Sequence, residues 1–228
     1  MESQLKPEVL TLALGPFATN AYIIGSHATG EAIVIDPVDD AERLVAEAAA
    51  ASWKISRILI THGHLDHVMA AADLVRLTSA PLCIHQASPR LQSGGIDDPV
   101  LQQLFPALPV PDRLLTDDDE SCGLPGIELR SIFTPGHAPD HVAFYQPESA
   151  VLFGGDCLFA GSIGRTDFPN ADLNTLMRSI TGRLFALPDE TRVLPGHMGP
   201  TTIGAERRSN PFVLDYLRYH SASDGPAT

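Results

Sequence analysis

Four strand-length apolar runs in this sequence give way to a short turn that joins glycine to a histidine or an aspartate. They are ILITHGHLDH at 58–67, RSIFTPGH at 130–137, VLFGGD at 151–156 and RVLPGH at 192–197. Short runs rich in β-branched residues read as strands. In α/β sheets the loops at strand ends are where sites are assembled, so four such ends predict one edge that gathers all these side chains. Further strand-length runs lie at Val9–Leu14, Ala21–Gly25, Ala32–Ile35, Leu82–His85 and Val142–Tyr145. Helical spacing occupies Ala41–Ala51 behind Asp39–Asp40, then His67–Thr78, Ala171–Leu187 and Gly204–Tyr219 with a break near Pro211. The mixture predicts an α/β chain forming one domain over 1–228. Within it, residues 86–112 read as an irregular loop, either over a site or on the surface, and 221–228 as a frayed tail.

Composition narrows the function. With 44% hydrophobic and 19% charged residues the chain has the makings of a globular core. Fifteen Lys and Arg against 28 Asp and Glu leave a net charge of −13, which repels polyanions and argues against a nucleic-acid partner. No apolar run approaches the roughly 20 residues of a membrane-spanning helix, and MESQLKPEVL lacks the features of a secretory signal. Cys83, Cys122 and Cys157 show no CxxC spacing. A reduced, cytoplasmic setting is the expectation.

The ligand-type residues carry the chemistry. His62, His64 and Asp66 alternate after a strand and can converge from extended backbone, while His67 opens a helix. His137, Asp156 and His197 follow at the ends of three further strands. Imidazole and carboxylate donors without cysteine suit zinc, iron or manganese in an open catalytic site rather than a closed structural one. Asp156 could bridge two ions roughly 3.5–4 Å apart, and water held there has its pKa lowered to about 7. The expectation is a centre of one or two metal ions that activates water. Among the other candidates, His27 and His220 read as solvated and His85 as packed or surface-bound. His141, beside Asp140, is either packed or orients a ligand. Cys157, following Asp156, points into the core.

HGHLDH, TPGH, GGD and LPGH in this order resemble the metallo-β-lactamase superfamily, from about Val9 to Pro211. The resemblance implies an αββα sandwich of two mixed β-sheets flanked by helices, with metals at one edge. It implies that His62, His64 and His137 hold one ion, that Asp66, His67 and His197 hold a second, and that Asp156 is shared. Asp66 then also orients the attacking hydroxide. GGDCLFAGSIGRTDFP and GAERRSNPFV look like short glyoxalase II-type hydrolases. Those enzymes cleave S-2-hydroxyacylglutathione thioesters such as S-lactoylglutathione with two divalent ions, zinc foremost, iron or manganese otherwise.

Only about 30 residues follow His197, so much of the surface by which the C-terminal helical domain of the larger enzymes binds glutathione is expected to be missing. Arg165 stands where those enzymes place a basic glutathione contact and would hold a substrate carboxylate. Asp167 replaces an aromatic contact, and an Arg165–Asp167 salt bridge is the competing reading. The superfamily's persulfide dioxygenases share the GRTDF stretch, and His62, His137 and Asp156 match a two-histidine, one-carboxylate iron set. LPGHMGP differs from the PAHDY-like context of their last histidine and favours hydrolysis. A metal-binding member without activity is a third reading.

Overall fold

The computed structural model describes residues 6–88, 108–118 and 122–223, with side chains through 219. Most of the stretch expected to be irregular, and residues 224–228, lie outside the described residues.

Two mixed sheets face each other. The first has the order β1-β2-β3-β4-β5-β6: Glu8–Leu14, Thr19–Ser26, Glu31–Ile35, Lys54–Leu59, Leu82–His85 and Arg113–Leu115. Its first three strands pair antiparallel and the rest parallel. The second sheet draws on β7 (Arg130–Phe133), β8 (Val142–Gln146), β9 (Val151–Gly155), β12 (Arg192–Pro195) and β13 (Thr201–Thr202), in the order β13-β12-β9-β8-β7. A separate hairpin pairs β10 (Leu158–Phe159) with β11 (Ser162–Ile163).

The alternation of side chains along each strand explains the layering. Tyr22, Ile24, Ile33 and Ile35 of the first sheet meet Val142, Phe144, Val151 and Phe153 of the second in one core. Their neighbours Ala21, Ile23, Ala32 and Val34 face the other way. They pack against Leu44 of α1 (Ala41–Ala50) and Leu74 of α3 (Ala71–Thr78). Ala143, Leu152 and Val193 face outward from the second sheet onto Leu176 of α4 (Leu173–Arg178), Ile203 of α5 (Ile203–Ser209) and Val213 of α6 (Pro211–Ser223). The layers run helix, sheet, sheet, helix, as an αββα sandwich requires.

Three expectations need correction. The helix expected at His67–Thr78 is two: α2 (Leu65–Val68) and α3, separated at Met69–Ala70. Asp66 therefore projects from a helical turn, not from an extended segment in step with His62 and His64. The helix expected over Ala171–Leu187 is α-helical only in α4. It then widens into a π-turn at Ser179–Arg183 and tightens to 3-10 at Leu184–Ala186, where Gly182 lowers helix preference. Backbone helix continues to Ser223, past the expected start of a frayed tail. The break near Pro211 lies where expected, with Asn210 between α5 and α6.

Candidate metal centre

Each candidate ligand leaves a strand at the same edge of the sandwich. The turn after β4 carries His62 and His64 and leads into α2 with Asp66 and His67; the turns after β7, β9 and β12 carry His137, Asp156 and His197. Backbone bonds tie the two sheets to each other, and β12 to β9, at this edge. Val142 N–H donates to Thr61 O at 2.8 Å, Asn20 N–H to Gly196 O at 2.7 Å, and Gly196 N–H to Gly155 O at 2.8 Å. Gly196 must be glycine, because a Cβ there would collide with Asp156 Oδ1 and the His67 ring.

Three groups of donor atoms gather, each within 4.8 Å: His62, His64 and His137; His62, His67 and Asp156; and Asp66, His67 and His197. His62 Nε2 and His137 Nε2 lie 3.0 and 2.9 Å from His64 Nδ1. Asp156 stands between the sets. Its Oδ1 lies 3.4 Å from His67 Nε2, and its Oδ2 lies 3.7 Å from His137 Nε2 and 3.5 Å from His197 Nε2. Asp66 Oδ2 lies 3.1 Å from His197 Nε2 and accepts the Thr19 hydroxyl at 3.0 Å.

Hydrogen bonds behind the rings fix which nitrogens carry protons. His137 Nδ1 meets the Arg165 carbonyl at 2.8 Å, and a carbonyl only accepts. His67 Nδ1 meets Asp36 Oδ2 at 2.8 Å. Thr61 Oγ1 donates to that same oxygen at 2.7 Å, so it must accept from His62 Nδ1 at 3.0 Å. In their neutral, ligand-competent forms all three rings then present a bare Nε2 to the centre. His64 Nδ1 holds at most one proton and cannot satisfy the lone pairs of both His62 and His137. His67 Nε2 and Asp156 Oδ1 are buried, near each other, and hydrogen-bonded to nothing. Converging lone pairs and an orphaned carboxylate oxygen fit a cation.

The electrostatics agree. Burial, then neighbouring histidines, hold His62 and His141 far below the usual imidazole range and His64 at about 4. Burial alone would raise Asp156, but His67 and His197 hold it well below the carboxylate range. Burial would likewise raise Asp66, yet its bond to His197 and the charge on His67 bring it to about 2. Bonds to Asp156 and Asp66 lift His197 to about 9. Two ionised carboxylates thus draw positive charge here, either as protons on His67 and His197 or as metal ions in their place.

The superfamily model described as "Metallo-beta-lactamase superfamily" matches residues 14–197. The chain belongs to that superfamily. It is 37% identical over 184 residues to the hydroxyacylglutathione hydrolase GloC of Haemophilus influenzae, covering 80% of this chain and 87% of that one. Two solved structures are also similar. The BLEG-1 B3 metallo-β-lactamase has a TM-score of 0.81 and 35% identity over 90% of this chain and 99% of its own. TTHA1623 in a di-iron-bound form has a TM-score of 0.78 and 39% identity over 89% and 99%.

In this superfamily member several supporting residues escaped the reading of the sequence. Asp36 accepts from Thr61 N–H and Thr61 Oγ1, each at 2.7 Å, as well as from His67. It follows β3 in VIDP and so repeats the strand-then-acid pattern that pointed to Asp156. Asn20 Nδ2 donates to Pro195 O and Met198 O at 2.9 and 3.0 Å, and Tyr22 OH to Pro195 O at 2.6 Å, bracing the His197 turn. Asp140 Oδ2 accepts Gly63 N–H at 2.9 Å and pins the turn between His62 and His64. His141, for which the sequence allows either a packed or a ligand-orienting role, accepts Asp156 N–H with Nε2 at 3.0 Å while its Nδ1 faces Thr134 Oγ1, the arrangement of an orienting residue.

Elsewhere, His85 is buried against Asp117 and Phe133, His27 pairs with Glu8 at the surface, and Cys157 lies in the core. The His220 side chain lies outside the described residues. Arg165 lines the cleft over the centre, and its Nε and Nη2 donate to Asp167 at 2.9 and 2.8 Å. The salt bridge is formed, and three guanidinium N–H groups stay outside that fork.

Proposed function

We propose that this chain is a metal-dependent thioesterase of the glyoxalase II type, cleaving S-2-hydroxyacylglutathione such as S-lactoylglutathione. In this reading His62, His64 and His137 hold one divalent ion, Asp66, His67 and His197 a second, and Asp156 both. Zinc leads, with iron or manganese as the other choices. The observation that carries the two-ion reading is Asp156, whose Oδ2 lies between His137 of the first set and His197 of the second while its Oδ1 faces His67 of the second. The substrate class rests on the similarity to the Haemophilus hydrolase.

Ions of this kind acidify water and polarise a carbonyl. The protein supplies the rest. Asp66, ionised and lining the cleft, orients the attacking water by accepting its proton in a hydrogen bond. The thiolate departs as a stable anion and needs little protonation. Arg165 meets a carboxylate of the thiol portion through the N–H groups that Asp167 leaves free. A small-molecule substrate, no nucleic-acid partner and a cytoplasmic setting belong to the same proposal, supported by the charge of −13 and by three buried cysteines without CxxC spacing. Among the described residues, no helix is long and apolar enough to cross a membrane.

A mononuclear iron persulfide dioxygenase would use only His62, His137 and Asp156. The fully assembled Asp66–His67–His197 group favours hydrolysis over it, and over a member without activity.

A strong chelator is expected to abolish S-lactoylglutathione hydrolysis, and zinc, manganese or ferrous iron to restore it, with a β-lactam assayed in parallel. Full activity in metal-free protein contradicts the proposal. Arg165→Ala is expected to raise KM for a glutathione thioester about tenfold while sparing a neutral thioester. Equal losses on both substrates with a lowered Tm would leave Arg165 only its salt bridge.

A further inference from the structure

The cleft over the metal centre, about 420 Å³, has two unlike ends. At the His64–His137 end stands Phe168, with ring centroids 5.4 and 6.0 Å from those histidines, and the Arg165 guanidinium lies 4.4 Å from the Phe168 centroid. At the Asp66–His197 end the wall is apolar. Phe159 lies 6.4 Å from His197 by ring centroids, and Met198 follows His197 directly. Phe17 comes from the turn just before Thr19, whose hydroxyl bonds Asp66. Among the described residues, Arg165 is the only Lys or Arg lining the cleft.

Phe17 and Met198 are 61% and 57% exposed, yet both line this one concavity from separate segments. Single exposed apolar residues are ordinary, but several converging on one cleft mark a binding surface. Met198 also has a left-handed conformation, φ +66, and its carbonyl accepts from Asn20 Nδ2. Strain of this kind persists where surrounding structure enforces it, often at a site. A flexible thioether lining the same cleft as aromatic rings adapts well to an apolar guest.

We infer that Phe17, Phe159 and Met198 form an acyl subsite for a ring-sized apolar group. The inference rests on the thioesterase reading above. The anionic thiol portion is drawn to Arg165, so the acyl group, on the other side of the scissile bond, falls against the apolar wall. The enzyme is then selective for aromatic or similarly bulky 2-hydroxyacyl groups over lactoyl.

The test compares kcat/KM of the metal-loaded protein for S-mandeloylglutathione and S-lactoylglutathione, which differ by phenyl against methyl. Inhibition constants of S-benzylglutathione and S-methylglutathione, which cannot be hydrolysed, report binding alone. Wild type is expected to favour the aromatic member of each pair by about tenfold. Phe17→Ala should bring both ratios toward one, and Phe17→Tyr should keep them; Phe17 sits in an exposed turn, so folding is not at stake. Hydrolysis of both thioesters with a ratio at or below one, or ratios unmoved by Phe17→Ala and by Met198→Ala, overturns the subsite and leaves the thioesterase reading standing. Hydrolysis of neither thioester overturns both.

Discussion

Asp156→Ala is expected to lower bound metal from about two ions per chain to one or fewer and to cut kcat/KM by about three orders of magnitude, on the order of 4 kcal/mol. The size follows from position. Asp156 reaches both ends of the cluster, turning Oδ1 to His67 and Oδ2 to His137 and His197. Its loss removes the negative charge that His67 and His197 face, beside His62, His64 and His137, which burial already makes poor bases. The substitution shortens a nearly buried side chain without disturbing the backbone bond from Asp156 N–H to His141. Elemental analysis and steady-state kinetics, with circular dichroism as a check on folding, measure the outcome. A variant that keeps two ions and activity within tenfold of wild type would remove Asp156 from the centre.

Asp36→Asn is expected to leave the fold nearly intact and yet lower affinity for the second ion by about 10–100-fold, with hydrolysis falling in step. Asp36 is a pure acceptor for three donors: Thr61 N–H, Thr61 Oγ1 and His67 Nδ1. The amide oxygen of asparagine must keep facing Thr61 N–H, since two donors cannot face each other. Its NH2 then points at His67 Nδ1 and forces the ring proton onto Nε2, the atom that faces Asp156. His67 is thereby turned from a lone pair into a donor at the centre. Metal titration separates this from a general loss of stability: the first site, on His62, His64 and His137, should still fill. Unchanged affinity for both ions would show that the His67 tautomer is not set by Asp36.

What the sequence revealed follows from the range over which each signal acts. The long strands were legible because period-2 burial writes itself locally; Ala21 to Ile24 alternate between two cores, and the sequence runs apolar throughout because both faces are covered. β10, β11 and β13, of two residues each, carry no such period. The break between α2 and α3 and the π-turn after α4 were hidden, since apolar spacing continues across both. At the site, the histidines stood out through their glycine neighbours. Asn20 and Tyr22 did not: they act on Pro195, more than 170 residues away, and nothing local marks a side chain whose partner arrives from the other sheet. Arg165 and Asp167 are two residues apart, so their pairing was readable as an alternative from spacing alone.

The central claim, a two-ion hydrolase, is tested most directly by counting metals and assaying two reactions in wild type and His197→Ala. His197 completes the second group with Asp66 and His67 and has no place in a mononuclear iron set of His62, His137 and Asp156. The account predicts about two ions in wild type, about one in the variant, and S-lactoylglutathione hydrolysis reduced by orders of magnitude. A wild type that holds a single iron and consumes oxygen with glutathione persulfide, and a variant that keeps that iron, would contradict it.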